Sequence, residues 1–543
     1  MTLRTVANPM KMIRPFSNLL IPTLLLLMCR TASAQHKSEI PVLAGEHWWG
    51  AYTTAGAAMP FAAADRSYRL GADNLENQSA PFLVSSLGRY IWSEAPFTFR
   101  FDGRKFVIDS PVGDIRAVKA GKTLREAVIL GKNARFRSNG QTPPELFFSR
   151  PQYNTWIELQ YDQTQEAIER YADDILANGF PAGVLMVDDN WQRYYGNFDF
   201  KAERFPDPKG MIDRLHAKGF KVMLWISPFV SPDSPEFREL QAKGYLIRAK
   251  GTDKAAIIPW WNGYSACYDL TNPAAFAHLQ SRLERMQREY GVDGFKFDAG
   301  DTRFYDSATQ DYHDPDARAV DHLQRWGELG SRFPYNEFRA AWGLQGLPLV
   351  QRLADKNHSW EALRRLVPEM VNAGLMGYPY TCPDMVGGGQ VADFSAEAQE
   401  RLDQDLIVRS AQLQAMMPMM QFSVAPWRVL DAEHLGYCRA AAELHEKLAS
   451  YLLETAAQAA KTGEPMVRSM EYMYPNKGFW DCRDQYMLGA KYLVAPMVTD
   501  EGKRTVRLPR GTWVDDEGKR FKGPLVMEIS VPLGRIPYYE LKR

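Results

Sequence analysis

Between residues 150 and 430, short apolar runs alternate with stretches of helical spacing, and this alternation limits the fold more than any other feature of the chain. TWIELQY (155–161) reads as a strand. The apolar residues after it, Ile168, Tyr171, Ala172, Ile175 and Leu176, share one helical face that Gly179 closes. GVLMVDD (183–189) precedes a helix over Met211 to Lys218, which ends at Gly219. KVMLWISPF (221–229) is the next run. Asn272-Pro273 then supplies a cap and a first-turn proline for a helix carrying Phe276, Leu279, Leu283, Met286 and Tyr290, stopped by Gly291. GFKFDAGD (294–301), LPLVQRLAD (347–355), LMGYPYTCPD (375–384) and MMPMMQFSV (416–424) continue the series. Repeated strand–helix units with polar residues at the strand ends predict an α/β chain built on a (β/α)₈ TIM barrel. The rival is an open doubly wound sheet, but no glycine-rich phosphate loop follows the first strand.

The flanks differ in texture. Residues 36–150 contain short alternating segments such as PFLVSS, RYIWSE and FTFRFDGRKFVI, separated by turn residues, and predict an N-terminal β-sandwich. After the barrel at 151–430, residues 431–543 predict one long helix near His434 to Ala460 and then a C-terminal β-sandwich from YLVAPM, TVRLP and LVMEISVPL. At the N-terminus, Arg4, Lys11 and Arg14 precede LLIPTLLLLM (19–28) and Ala32-Ser33-Ala34, the pattern of a signal peptide cleaved after Ala34. The expectation is export, to the periplasm or medium. No other run of about 18 apolar residues suggests a membrane span. The 65 basic and 65 acidic residues cancel, so charge suggests neither nucleic acid nor an anionic membrane. Cys267, Cys382, Cys438 and Cys482 are widely spaced and form no metal-binding motif, and most of them are expected to be free and buried.

In a barrel, chemistry sits where strands end, and the acids follow that rule. Asp188 and Asp189 end GVLMVDD, Asp298 ends GFKF, Asp355 ends LPLVQRLA, and Asp384 ends GYPYTCP. Lys296 lies two residues before Asp298, so a strand points both to one face. Arg352 stands three residues before Asp355. Basic neighbours keep selected carboxylates ionised, while an isolated desolvated one holds its proton, and that division of labour is what glycoside hydrolysis requires. Trp191, Trp225, Trp260 and Trp261 fall at the same rim, where flat rings suit the C–H face of a sugar; packing is expected to claim two of the four.

These residues resemble glycoside hydrolase family 31 over nearly the whole chain after the leader. QSAPFLVSSLGRYIW resembles the family's sandwich segment, and VLMVDDNW with FPDPKGMIDRLHAKGFKVMLWISPFV its second and third barrel units. WNGYSACYDLTNP and GFKFDAGD resemble the tract leading to the nucleophile, PDMVGGG a later strand end, and GEPMVRSM, YMLGAKYLVAPMV and RLPRGTWVD the C-terminal segments. GFKFDAGD, RLADKNHSW and MMQFSVAPW are most similar to the branch that includes the myogenesis-regulating glycosidase and bacterial α-galactosidases. The resemblance implies Asp298 as nucleophile and Asp355 as general acid/base, one barrel unit apart. It implies Lys296, Asp188, Arg352 and Trp261 as contacts of the −1 sugar, and it places Asp301 where many members have a glutamate. The strand-end pattern adds Asp189, Trp191, Trp225 and Asp384 to the candidate substrate-binding residues. The R-x-H of many family α-glucosidases is missing from QFSVAPW, which favours a different sugar, galactose with its axial 4-hydroxyl.

The implied reaction is retaining hydrolysis of an α-linked oligosaccharide or glycoside through a covalent glycosyl-aspartate, with the two carboxyls about 5–5.5 Å apart and no cofactor or metal. Four other readings share the residues: an α-glucosidase or α-xylosidase of the same family, a transglycosylase, a metal-dependent barrel enzyme using Asp188, Asp298 and Asp301, and a non-catalytic sugar-binding protein. Glu94 or Trp92 is the expected point at which the N-terminal domain would reach the site.

Overall fold

The computed structural model describes residues 36–64, 66–136 and 138–542. The leader expected over residues 1–34 lies outside them. Eight short parallel strands form one sheet: β1 (Gln152–Asn154), β2 (Val184–Val187), β3 (Lys221–Ile226), β4 (Gly294–Phe297), β5 (Tyr335–Phe338), β6 (Gln351–Arg352), β7 (Thr381–Cys382) and β8 (Gln421–Phe422). Neighbours follow chain order, and β8 pairs with β1 in the register Gln421↔Gln152. Between β7 and β8 the ring is joined by a Met385↔Gln421 bridge, where Val386 N–H donates to the Gln421 carbonyl at 2.7 Å. The result is the nearly closed barrel that the alternation predicts.

Alternation along each strand sorts the side chains. Leu185, Val187, Leu224, Ile226, Phe295 and Phe297 belong to the core between strands and helices. The intervening positions meet inside the barrel, and there several are polar. Gln421 Nε2 donates to Glu337 Oε2 at 2.7 Å and to Gln152 Oε1 at 3.2 Å.

Two elements depart from expectation. TWIELQY is not the first strand: β1 ends at Asn154, and Trp156–Leu159 is a helical turn. Side chains take the amides that a strand ladder would use, since Asn154 Oδ1 accepts from Trp156 N and Ser423 Oγ from Ile157 N. β5 has the sequence Tyr-Asn-Glu-Phe and no apolar run to announce it. No helix separates β5 from β6, only the loop 339–350, so Asp298 and Asp355 stand two strands apart rather than one unit.

The outer layer contains α1 (Gln165–Ala177), α2 (Pro208–Ala217), α3 (Pro273–Tyr290), α4 (Ala319–Gly330), α5 (Trp360–Met376), α6 (Gln404–Ala415), α7 (Ala432–Lys447) and α8 (Ala449–Thr462). The caps at α3 form as the sequence dictates: Asn272 accepts from Ala274 N, Pro273 opens the first turn, and Gly291 ends the helix at φ 82°. The single long helix expected near His434 to Ala460 is instead α7 and α8, separated at Leu448. The turn lets α7 cover α6 while α8 packs on the short helix Leu146–Ser149.

Before the barrel lie two four-stranded antiparallel sheets: His36–Pro41, Lys105–Ser110, Thr98–Phe101 and Ser67–Arg69 in one, Trp48–Tyr52, Ser79–Ser85, Arg89–Trp92 and Val118–Lys119 in the other. Trp48 and Phe106 meet between them. The second sheet rests on α5, where Asn372 accepts from Gly50 N at 3.0 Å and donates to the Tyr52 carbonyl at 2.7 Å. After the barrel comes one six-stranded antiparallel sheet, from Val467–Arg468 to Arg520–Ser530, rather than the expected two-sheet sandwich. Its apolar face, including Met487, Leu493 and Trp513, is covered by Met470 and Phe479, which do the work of a second sheet. All four described cysteines are free; three are buried and Cys482 is partly exposed.

Candidate active site

Asp298 follows β4 at the C-terminal rim. Ala299 behind it has φ 57°, which turns the chain so that its N–H donates to Asp298 Oδ1 at 2.8 Å. Arg339 Nε donates to the same oxygen at 2.8 Å, and Trp225 Nε1 donates to Oδ2 at 2.9 Å. Burial pushes the carboxyl up, but Arg339 and Lys296 outweigh it and hold Asp298 well below the usual carboxylate range. Lys296 is buried beside it, with Nζ 2.7 Å from Asp188 Oδ2; burial pulls the ammonium down and Asp188 more than restores it.

Asp189 is also buried. It accepts from Asn190 N at 2.5 Å, Asn262 Nδ2 at 2.6 Å and Tyr195 Oη at 3.1 Å. Burial, helped by the charge of Asp188, pushes its carboxyl up to about 7. Asp355, three residues beyond Arg352, is 32% exposed in its side chain, and Arg352 Nη1 donates to its Oδ1 at 2.7 Å. Gly389 lies against it: a Cβ there would be 2.8 Å from Asp355 Cβ and Cγ.

Asp188, Asp189, Trp225, Trp261, Lys296, Asp298 and Asp355 therefore line one cavity of about 320 Å³. Trp261 is 45% exposed at its edge, with the Arg339 guanidinium 5.5 Å from its ring centre. The other four candidates stand behind the wall. Trp191 is fully buried against Phe200 and donates from Nε1 to the Trp225 carbonyl at 2.7 Å, because Asn190 at φ 75° turns the chain under the rim. Asp301 is buried under Arg339, accepting from its Nη1 at 3.2 Å and Nη2 at 2.5 Å. Arg352 reaches Asp355 and, at 3.0 Å, Asp384, and does not face the cavity. Asp384 accepts from Arg352 and from Lys356 N at 2.9 Å; burial raises its carboxyl and Arg352 partly offsets this. These four fix the groups that touch the cavity.

Several residues of the site went unread in the sequence. Arg339 follows β5, the strand without an apolar signature. The N-terminal domain reaches the site through Asn74 to Gln78, not through Glu94, which is exposed, or Trp92, which stacks under Arg135 at 4.3 Å. Asn77 Nδ2 donates to the carbonyls of Arg339 at 2.7 Å and Arg352 at 3.0 Å, and its Oδ1 accepts from Ala354 N at 2.8 Å. Asn74 Nδ2 donates to Asp301 at 3.0 Å, and Gln78 Nε2 to Gln351 at 2.7 Å. The only signal in the sequence was the dense amide run NLENQ just before a buried strand. Glu76, Trp156, Tyr161, Arg303, Arg339, Ala354 and Gln390 complete the wall.

Comparison with known proteins agrees with this fold. A profile described as the glycosyl hydrolases family 31 TIM-barrel domain matches residues 143–455, and one for the family's C-terminal domain matches 463–540. The chain belongs to glycosyl hydrolase family 31. Among family 31 relatives, the myogenesis-regulating glycosidase of Mus musculus is 32% identical over 416 residues, covering 74% of this chain and 58% of that protein. Alpha-xylosidase XylQ of Lactiplantibacillus pentosus is 24% identical over 482 residues, covering 82% of this chain and 60% of that one. The chain thus spans about three-fifths of the length of these curated relatives. A family 31 α-xylosidase from a soil metagenome, solved with xylose, superposes with a TM-score of 0.79 at 22% identity over 93% of this chain and 79% of its own. The three acids of the metal-dependent reading are each paired with a cation, Asp188 with Lys296 and both Asp298 and Asp301 with Arg339. Among the described residues, no helix is long and apolar enough to cross a membrane.

Proposed function

We propose that the protein is a retaining, exo-acting α-glycoside hydrolase with Asp298 as nucleophile and Asp355 as general acid/base. The observation that carries this is a buried Asp298 carboxylate kept ionised by Arg339, Lys296 and Trp225, with Asp355 lining the same cavity. Asp298 Oδ2 accepts one hydrogen bond, from Trp225, and keeps acceptor capacity for the anomeric carbon. Attack there gives a glycosyl-aspartate while Asp355 protonates the leaving oxygen; Asp355 then takes a proton from the water that releases the sugar. The oxocarbenium-like charge in between lies beside Asp298 and the Asp188–Lys296 pair.

For the sugar we propose an α-galactoside. Support comes from β8, which ends in Gln421-Phe422-Ser423 with no histidine where α-glucosidases of the family carry one, and from a cavity wall without histidine. Relatives include enzymes named for xylosides and glucosides, so the discriminating assay is a panel of nitrophenyl α-galactoside, α-glucoside, α-xyloside and α-N-acetylgalactosaminide. The α-galactoside is expected to turn over fastest; a faster α-glucoside or α-xyloside would replace the sugar and leave the mechanism. Proton NMR of the first-formed product tests the mechanism itself: the α-anomer is expected, and the β-anomer would remove Asp298 as nucleophile. The same intermediate can pass to an acceptor sugar, so transfer products at high substrate are compatible with this site.

A further inference from the structure

Beyond Asp355 the cavity opens into a second, larger space. This groove, about 810 Å³, runs between the N-terminal domain and the start of α5, and shares Glu76, Arg303, Ala354 and Asp355 with the inner cavity. If Asp355 is the acid that protonates the leaving oxygen, whatever lies on its outer side is the leaving group.

The two spaces differ in chemistry. Trp156, Tyr161, Trp225 and Trp261 line the inner one, and rings of that kind suit the C–H faces of a neutral sugar. No aromatic ring is among the residues lining the groove. It has five cations instead: Arg66, Arg69, Arg303, Lys356 and Arg365. Three of these are already in ion pairs. Arg303 pairs with Glu76 at 2.8 Å, while Lys356 and Arg365 pair with the buried Glu369 at 2.9 and 3.0 Å. Arg66 and Arg69 are exposed and form no ion pair among the described residues; the Arg66 guanidinium lies 4.9 Å over the Tyr68 ring, and both flank the strand Ser67–Arg69 or end it. Of the groove's other acids, Asp73 accepts from Leu75 N at 2.7 Å and Asp355 is held by Arg352, while Glu361 is exposed in the first turn of α5, far along the chain from the strand Ser67–Arg69, where the helix dipole favours its charge.

We propose that this groove binds the leaving group and that the leaving group is an anionic sugar, its carboxylate or sulfate ester held by Arg66 and Arg69. A planar guanidinium with unused donors is the side chain best matched to such oxyanions. The proposal rests on the hydrolase reading above and adds to it the chemical class on the far side of the scissile bond.

Three disaccharides test it, each with the −1 sugar that the nitrophenyl panel selects, α-linked to a hexuronate, a sulfated hexose or the plain hexose. For the protein as it stands, kcat/KM for at least one anionic substrate is expected to exceed that for the neutral one by about tenfold, the scale of one charge-assisted hydrogen bond. Which anion wins separates carboxylate from sulfate ester. The double variant Arg66→Ala/Arg69→Ala should bring the ratio to about one by lowering kcat/KM for the anionic substrate, and an unchanged circular dichroism spectrum reports an intact fold. The preference should shrink as salt is raised. Equal rates on all three substrates, or a preference that survives the double variant, would overturn the groove assignment and leave the hydrolase reading standing. No turnover of these or of any nitrophenyl α-glycoside would remove that reading and this proposal together.

Discussion

Asp298 meets two opposed demands: it is buried, yet has to be charged. Arg339 and Lys296 settle the conflict, and each can be tested. Asp298→Asn removes the attacking charge but keeps the volume, so kcat is expected to fall by roughly 10⁴-fold or more with the circular dichroism spectrum unchanged. Arg339→Met leaves the burial of Asp298 and removes its largest opposing charge, so the Asp298 pKa rises. The parent should show no acid limb from this group in kcat/KM above about pH 4, whereas the variant should gain one. Asp189 behaves in the opposite way. Its carboxyl is raised from 3.8 to about 7, so across that interval the folded protein holds a proton that the unfolded chain has released, and stability falls as pH rises through the window. Asp189→Asn removes that loss; thermal melts should show the variant gaining on the parent at pH 8 and not at pH 4.

The loop Asn74–Gln78 is the element that ties the two carboxylates into one site. Asn77 alone bonds the main chain on both sides of the gap, at Arg339 after β5 and at Arg352 and Ala354 around β6. Asn77→Ala should cost about 2–4 kcal/mol in urea unfolding, since it strands buried backbone groups. It should also lower kcat more than KM, because Asp355 follows the segment that comes loose. The β7–α6 loop acts by packing. Gly389→Ala would put a methyl 2.8 Å from Asp355 Cβ and 2.6 Å from Met385 Cε, so Asp355 must shift. The expected signature is a larger rate loss on a disaccharide, whose leaving oxygen needs a proton, than on a nitrophenyl glycoside, whose leaving group barely does. The sequence foretold little of this element, because its side chains cap main-chain groups hundreds of residues away and obey no local period.

The barrel is not a free-standing unit in this molecule. The turn Thr53–Ala58 packs on α5 so closely that a Cβ at Gly56 would lie 2.4 Å from the Pro368 carbonyl oxygen and 2.7 Å from Glu369 Cα. Gly56→Val should therefore lower the melting temperature of the whole protein in one transition, since neither backbone can yield. At the other end, Arg409 of α6 donates to the Val531 carbonyl at 2.7 Å and to the Arg535 carbonyl at 3.1 Å, and Tyr486 Oη donates to the Met416 carbonyl at 2.9 Å. Both flanking domains are thus bonded to helices of the barrel. The N-terminal one also supplies Glu76 to the cavity and most of one wall of the groove.

By itself the sequence determined the α/β barrel, most of its strands and helices, the positions of Asp188, Asp189, Asp298 and Asp355 past strand ends, and that of Lys296 on the strand before Asp298. Each of these follows from local periodicity, where apolar runs and caps are read over a few residues. Only the tertiary structure decided that β5 is a strand, that Arg339 neutralises Asp298, and that Trp191, Asp301, Arg352 and Asp384 stand behind the cavity instead of in it. The physical reason is the same throughout. Whether a side chain at a strand end faces a substrate or props up a neighbour depends on which distant charge or backbone group meets it, and that is fixed when the barrel closes and the N-terminal loop is bonded across its rim.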